Sequence, residues 1–166
     1  MSNAAYYSLL NNGELTGDMI GAVIATPPIA ATGATLVCNR DVHGGRVTVI
    51  TAAAGCAVTL PNATGTGSIY RFLIGATITS NSTTIKVNNA TDVMSGRAYV
   101  ISDNTAAVLG YATGSTDDTI TLNGTTTGGY IGDIVEIIDA IAGTYQVKVL
   151  SKATGTEATP FSATVS

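Results

Sequence analysis

His43 is the only histidine of the chain, and it sits in "DVHGG". A serine or cysteine hydrolase would need it as a base, with a nucleophile and an orienting acid close by. No nucleophile-elbow pattern accompanies it: "GTGSIY" has the wrong spacing and no glycine after the serine. The segment reads as a turn, and His43 as a loop or subunit-contact residue. Cys38 and Cys56 are the only cysteines. One histidine and two distant cysteines match no zinc spacing. If "VHGGRV" turns near Gly44 as a hairpin, Cys38 faces Ile50 and not Cys56. The pair then reads as buried free thiols rather than a disulfide.

The acids give no stronger signal. Asp117, Asp118, Asn123 and Asp133 carry oxygen ligands, yet no calcium-loop pattern surrounds them, and turn chemistry accounts for them equally well. Asp133, Glu136 and Asp139 cluster, but Glu136 has the opposite strand parity from the other two. They therefore do not form the paired carboxylates of a glycosidase. They read as a solvated edge or a subunit ion pair. No glycine-rich stretch precedes a lysine as a phosphate loop requires. The Asn-x-Thr triplets at Asn62, Asn81, Asn89 and Asn123 are expected by chance in a chain this rich in Asn and Thr. The expectation is a protein with no active site, no metal and no cofactor.

The elements that would position any site are strands. Ile120 and Leu122 alternate with Thr119, Thr121 and Asn123, and "TTTGG" at 125–129 reads as stiff extended chain leading into a turn. From Ala34 onward, "TLVCNRD", "RVTVIT", "GCAVTLP", "IYRFLIG", "ATITS", "TTIKVNN", "RAYVISD", "AAVLGYAT", "DTITLN", "DIVEIID" and "TYQVKVLS" follow one another as short strands between turn signals. No helix long enough for a parallel crossover intervenes, and no repeat of fixed period is visible. The fold class expected is all-β, an antiparallel β-sandwich over residues 33–166. Its core is expected to hold Val47, Val49, Val58, Leu60, Tyr70, Phe72, Ile74, Ile78, Ile85, Val87, Ile120, Leu122, Tyr145, Val147 and Val149.

Residues 1–32 differ from the rest. They lack alternation and end in a Pro-rich piece that should be extended. Tyr6, Tyr7, Leu9, Leu10, Met19, Ile20, Val23 and Ile24 are many apolar groups for a loose tail, so the segment reads as an arm that docks on a neighbouring subunit or another protein. Its start lacks the basic and apolar regions of a signal peptide, and the paired prolines Pro27 and Pro28 rule against a membrane-spanning helix.

Composition points the same way. Charged residues make up 11% of the chain, against an average near ~25%. Thr, Ala, Gly, Ser and Asn occupy the places where charges usually sit. Such a surface suits a protein largely covered by other protein or one that works outside a cell. An uncharged polar surface is cheaper to desolvate than a charged one, so the first is put ahead and an oligomer is expected. The net charge of −4 and the absence of any Lys/Arg cluster in sequence argue against direct binding to nucleic acid.

Several phrases together carry a resemblance. "VTLPNATGTGSIYRFLIG", "TSNSTTIKVNNATDVMSG", "DTITLNGTTTGGYIGDIVEIID" and "ATGTEATPFS" resemble small capsid decoration, or cement, proteins of tailed phages, over roughly residues 34–166. The resemblance implies a jelly-roll-like β domain and homotrimers on the virion exterior, with an arm that reaches neighbouring capsomers. It implies the major capsid protein as partner and the host cytoplasm as the place of synthesis. The arm residues expected to meet the capsid are Tyr6, Tyr7, Leu9, Leu10, Ile20, Pro27 and Pro28. The alternative is a receptor- or glycan-binding module of a phage tail fibre, which would also be Thr/Gly-rich, β and trimeric.

Overall fold

A computed structural model describes residues 27–105 and 107–165. Tyr6, Tyr7, Leu9, Leu10 and Ile20 of the expected arm lie outside the described residues. The chain forms β1 (Ile29–Ala31), β2 (Thr35–Val37), the one-turn helix α1 (Arg40–His43), β3 (Val47–Ile50), β4 (Ala57–Thr59) and β5 (Ile69–Ile74). There follow β6 (Thr83–Lys86), β7 (Val93–Ser102), β8 (Val108–Ala112), β9 (Thr119–Leu122), β10 (Ile134–Ile141), β11 (Thr144–Ala153) and β12 (Phe161–Ser162). A seven-stranded sheet has the order β1-β3-β5-β10-β11-β7-β8, and a five-stranded sheet the order β12-β9-β6-β4-β2. The inward residues of both sheets join in one hydrophobic cluster, a sandwich-like arrangement.

The sheets are mixed, which corrects the expectation of an antiparallel sandwich. β1 pairs β3 and β3 pairs β5 in parallel; so do β2 with β4, β4 with β6, and β11 with β7. Parallel neighbours need a long crossover, and a helix is its usual form. In the first four pairs the crossover is a strand of the other sheet; between β7 and β11 it is β8, β9 and β10. From β1 to β6 the chain alternates between the two sheets, winding round the core. The turns of this winding grow: Ile29 pairs Thr48 and Val47 pairs Arg71, while Thr35 pairs Ala57 and Ala57 pairs Thr84. A lengthening turn leaves no fixed period in the sequence.

Other expectations are corrected locally. β2 and β3 belong to different sheets, so "VHGGRV" is not a hairpin. Asn39 instead caps α1 by accepting from the Asp41 N–H at 2.8 Å, and Gly44 N–H closes the turn on the Arg40 carbonyl at 2.9 Å. "ATITS" is a loop, although its Ile78 is buried and its N–H bonds to the Gly129 carbonyl. In β3 the buried residues are Thr48 and Ile50, while Val47 and Val49 are only half-buried. The reason is register: Thr48 and Ile50 pair with Phe72 and Ile74, whose parity is fixed by the core. The rest of the expected core is buried, with Tyr70 and Tyr145 edge-to-face at 6.4 Å in its middle. Ile29–Ala31 is a strand of the large sheet, so the sheet takes in residues that had been assigned to the arm.

Candidate functional site

The groups that sequence singled out for chemistry are occupied with holding the fold. His43 is buried at the end of α1, with Nδ1 3.0 Å from the Asn39 N–H. Cys38 and Cys56 are free and buried. Burial, and then the neighbouring Cys56, push the Cys38 thiol up to about 12, so it is no nucleophile at neutral pH. Cys38, Arg40, Asn62, Tyr70 and Asp139 line a cleft of about 300 Å³. Asp41 also lines it, and Asp139 is fully engaged. Asp139 accepts from the backbone N–H groups of Thr64, Gly65 and Thr66 at 2.9, 2.7 and 3.1 Å, and from the Thr66 hydroxyl at 2.6 Å. Burial alone would raise its pKa, but these donors hold the carboxyl below its ordinary range.

Other acids also accept from backbone N–H groups. Asp133 accepts from the Gly129, Tyr130 and Lys152 N–H groups. Its burial outweighs those bonds and raises its pKa. Asp118 accepts from the N–H groups of Thr164 and Val165, Asp92 from that of Ala63, and Asp117 from that of Gly114. Asn123 Oδ1 accepts from the Thr125 and Thr127 N–H groups. Each holds backbone N–H groups, of its own loop or of a distant segment. Among the described residues no three His, Cys, Asp or Glu side chains gather where a metal ion would fit. Glu136 points outward as its parity requires, and it pairs with Arg71 of the same chain at 2.8 Å.

The feature that stands out is the outer face of the seven-stranded sheet. Residues paired across strands in register share a face. Val49 pairs Leu73, Leu73 pairs Ile134, Ile134 pairs Leu150, and Leu150 pairs Tyr99. An unbroken apolar row therefore crosses five strands on the side away from the core. Ile134, Leu150 and Tyr99 are 42%, 45% and 39% exposed, and Ile101 and Val108 extend the patch towards the β8 edge. One residue pair along the strands lies a charged row: Arg71, Glu136, Lys148 and Arg97, again in cross-strand register. Two hollows open on this face. One of about 140 Å³ is lined by Ile134, Glu136, Lys148 and Leu150, and one of about 260 Å³ lies around Gly110, lined by Arg97, Tyr99 and Ala112.

A row of large apolar groups, half-buried at Val49 and Leu73 and exposed at Ile134, Leu150 and Tyr99, with charge beside it, has the character of an interaction surface. Single-strand reading misses it, because each residue alone is an ordinary exposed Leu or Ile. The available signal is that β10 is apolar on both parities: Val135 and Ile137 face inward, Ile134 and Ile138 outward. Of the expected contact residues, Pro27 and Pro28 are exposed at the start of β1, and the Pro27 carbonyl accepts from Arg46 at 2.6 Å. No protein family, curated protein or solved structure matches the chain.

Proposed function

We propose that the protein is a structural component of a phage particle: a capsid decoration protein, without catalytic activity, that binds the head exterior at capsomer junctions and stabilises the mature shell. The observation that carries this reading is the apolar row Val49–Leu73–Ile134–Leu150–Tyr99, since a broad face to be covered by neighbouring subunits is what a component of an assembled particle needs. The low charge and the resemblance of the quoted phrases to decoration proteins support it further. Its partners are then the major capsid protein and two further copies in a homotrimer, with the N-terminal segment linking neighbours. The jelly-roll winding that the resemblance implies is not part of this reading, because parallel pairs run through both sheets. A protein that binds only the intact shell stabilises it by mass action. The test is to add purified protein to expanded heads that lack decoration. Co-sedimentation and a raised temperature of DNA release are expected; protein left wholly in the supernatant would refute the proposal.

A tail-fibre glycan-binding module is the second reading, favoured by exposed Tyr99 beside the Gly110 hollow, where a sugar ring could stack. Particle copy number separates the two, with many copies for a decoration protein and few for a fibre.

A further inference from the structure

Charge on the outer face of the large sheet is one-sided. Arg71, Arg97, Lys148 and Lys152 face outward against Glu136 alone. Glu136 is held by Arg71. Arg97 and Lys148 are direct cross-strand neighbours, and neither has an ion-pair partner among the described residues. Like charges side by side in a sheet cost stability. The chain as a whole carries −4. A basic surplus gathered on one face of an acidic protein, beside an apolar row, fits an occupant that is both acidic and apolar.

The N-terminal segment has that chemistry. Residues 1–26 contain Glu14 and Asp18 and no Lys or Arg, together with Tyr6, Tyr7, Leu9, Leu10, Met19, Ile20, Val23 and Ile24. The described chain begins at Pro27, directly before the edge strand β1 of this same sheet. Ile29 is level with Thr48, so the chain joins the sheet beside Val47, which pairs Arg71 at the end of the charged row. A segment of that length spans up to ~85 Å when extended. The apolar row from β3 to β7 crosses four strand spacings, about 19 Å. Length is therefore ample for the segment to cross the face of an adjacent molecule.

We infer that the outer face of the seven-stranded sheet is the dock for residues 1–26 of a neighbouring copy of this chain. Glu14 and Asp18 meet the Arg97–Lys148 pair, and the arm's apolar residues cover the row and fill its two hollows. This rests on the oligomer in the reading above and narrows it: the arm's partner is a second copy, where the resemblance implies the capsid protein. Arms passed in the same sense from copy to copy form a ring that closes by rotation.

The test uses the full chain. Arg97→Glu with Lys148→Glu should weaken self-association about tenfold or more by light scattering. Adding Glu14→Lys and Asp18→Lys to that variant should restore it. Both face residues are exposed, and an unchanged circular dichroism spectrum verifies folding; Lys148→Gln is the milder second variant, with a smaller loss expected. Unchanged association in the double variant, or no rescue by the arm reversal, overturns the proposal. Two differently tagged chains, one carrying Asp18→Cys and the other Lys148→Cys, should form a mixed disulfide dimer when oxidised together. If a chain carrying both cysteines closes only on itself, the arm covers its own face and the inference is wrong. Protein that passes these tests yet ignores empty heads keeps the arm contact and sinks the capsid reading alone.

Discussion

The two sheets share a core and differ on their outer faces. The five-stranded sheet shows Thr35, Ala57, Thr84 and Thr121 in one cross-strand row, and Val37, Thr59 and Lys86 in the next. That face is mostly small and hydroxylated. The seven-stranded sheet shows Leu73, Ile134, Leu150 and Tyr99 in one row and four ionic side chains in the next. Threonine fits a strand whose outer side stays wet: it is β-branched and its hydroxyl bonds water. Leucine and isoleucine at the same parity gain nothing from water. On the reading proposed above, the large sheet is the face that is covered and the small sheet the face that stays in solvent.

The largest expected effect tests whether the large face depends on the seam beneath it. β7 lies parallel against β11, and a Cβ at Gly96 would collide with the Val147 carbonyl. Gly96→Ala must push β7 away and disturb the Arg97–Tyr99 edge of the face. A loss of about 3 kcal/mol is expected from the denaturation midpoint. A midpoint within experimental error of the wild type would mean that the seam is loose.

The next effect concerns the two ends of β10, the strand that carries Ile134 and Glu136. Asp139 clamps the loop at one end and Asp133 the loop at the other. Asp139→Asn should cost about 2 kcal/mol at pH 7, because an amide returns only part of a charged acceptor's bonds. The folded Asp139 carboxyl titrates below its ordinary value of 3.8. Its stabilisation is thus complete above pH 3.8 and is lost as pH falls through the lower folded value. Asp133 runs the other way. Its folded pKa lies above 3.8, so its contribution is present below pH 3.8 and is lost as pH rises through the folded value. Asp133→Asn should consequently cost less at neutral pH than Asp139→Asn. Stability curves of the two variants with the same acid dependence would contradict this assignment.

Much of the fold was legible because burial imposes a two-residue period. Tyr70-Phe72-Ile74 and Tyr145-Val147-Val149 could be placed inside from spacing alone. β3 could not, since Val47, Val49 and Ile50 offer apolar groups on both parities and only pairing with β5 decides. The parallel winding was hidden for a related reason. Strand pairing is non-local, and here the crossover is itself a strand, so the usual helical cue for a parallel pair is missing. The candidate face was hidden most thoroughly. Leu73, Tyr99, Ile134 and Leu150 come from four strands, and the row exists only in the register. The absence of a basic cluster in sequence was equally misleading, because the sheet brings Arg71, Arg97 and Lys148 together.

A third prediction separates the faces directly. Leu150→Asp and Thr84→Asp place the same charge on the large and small sheets. Both side chains point outward, so the fold should tolerate each change. Self-association should weaken about tenfold for Leu150→Asp and stay unchanged for Thr84→Asp, measured by light scattering across a dilution series. Equal losses would erase the distinction between the faces.

The smallest effect concerns the one ion pair among the described residues. Arg71 and Glu136 are 48% and 32% exposed at the side chain, so water already screens them. An exposed pair of this kind contributes about 0.5 kcal/mol or less. Glu136→Gln should therefore leave the thermal midpoint nearly untouched. It also removes the acid from the charged row, leaving Arg71, Arg97 and Lys148 there unopposed. If the occupant of this face is acidic, the variant should associate more tightly than the wild type, with the gain shrinking as salt is raised. If the face is merely solvated, Glu136→Gln should change neither stability nor association. A weakened association would mean that Glu136 itself meets a cation on the partner, and that the charge of the large face has been assigned the wrong complement.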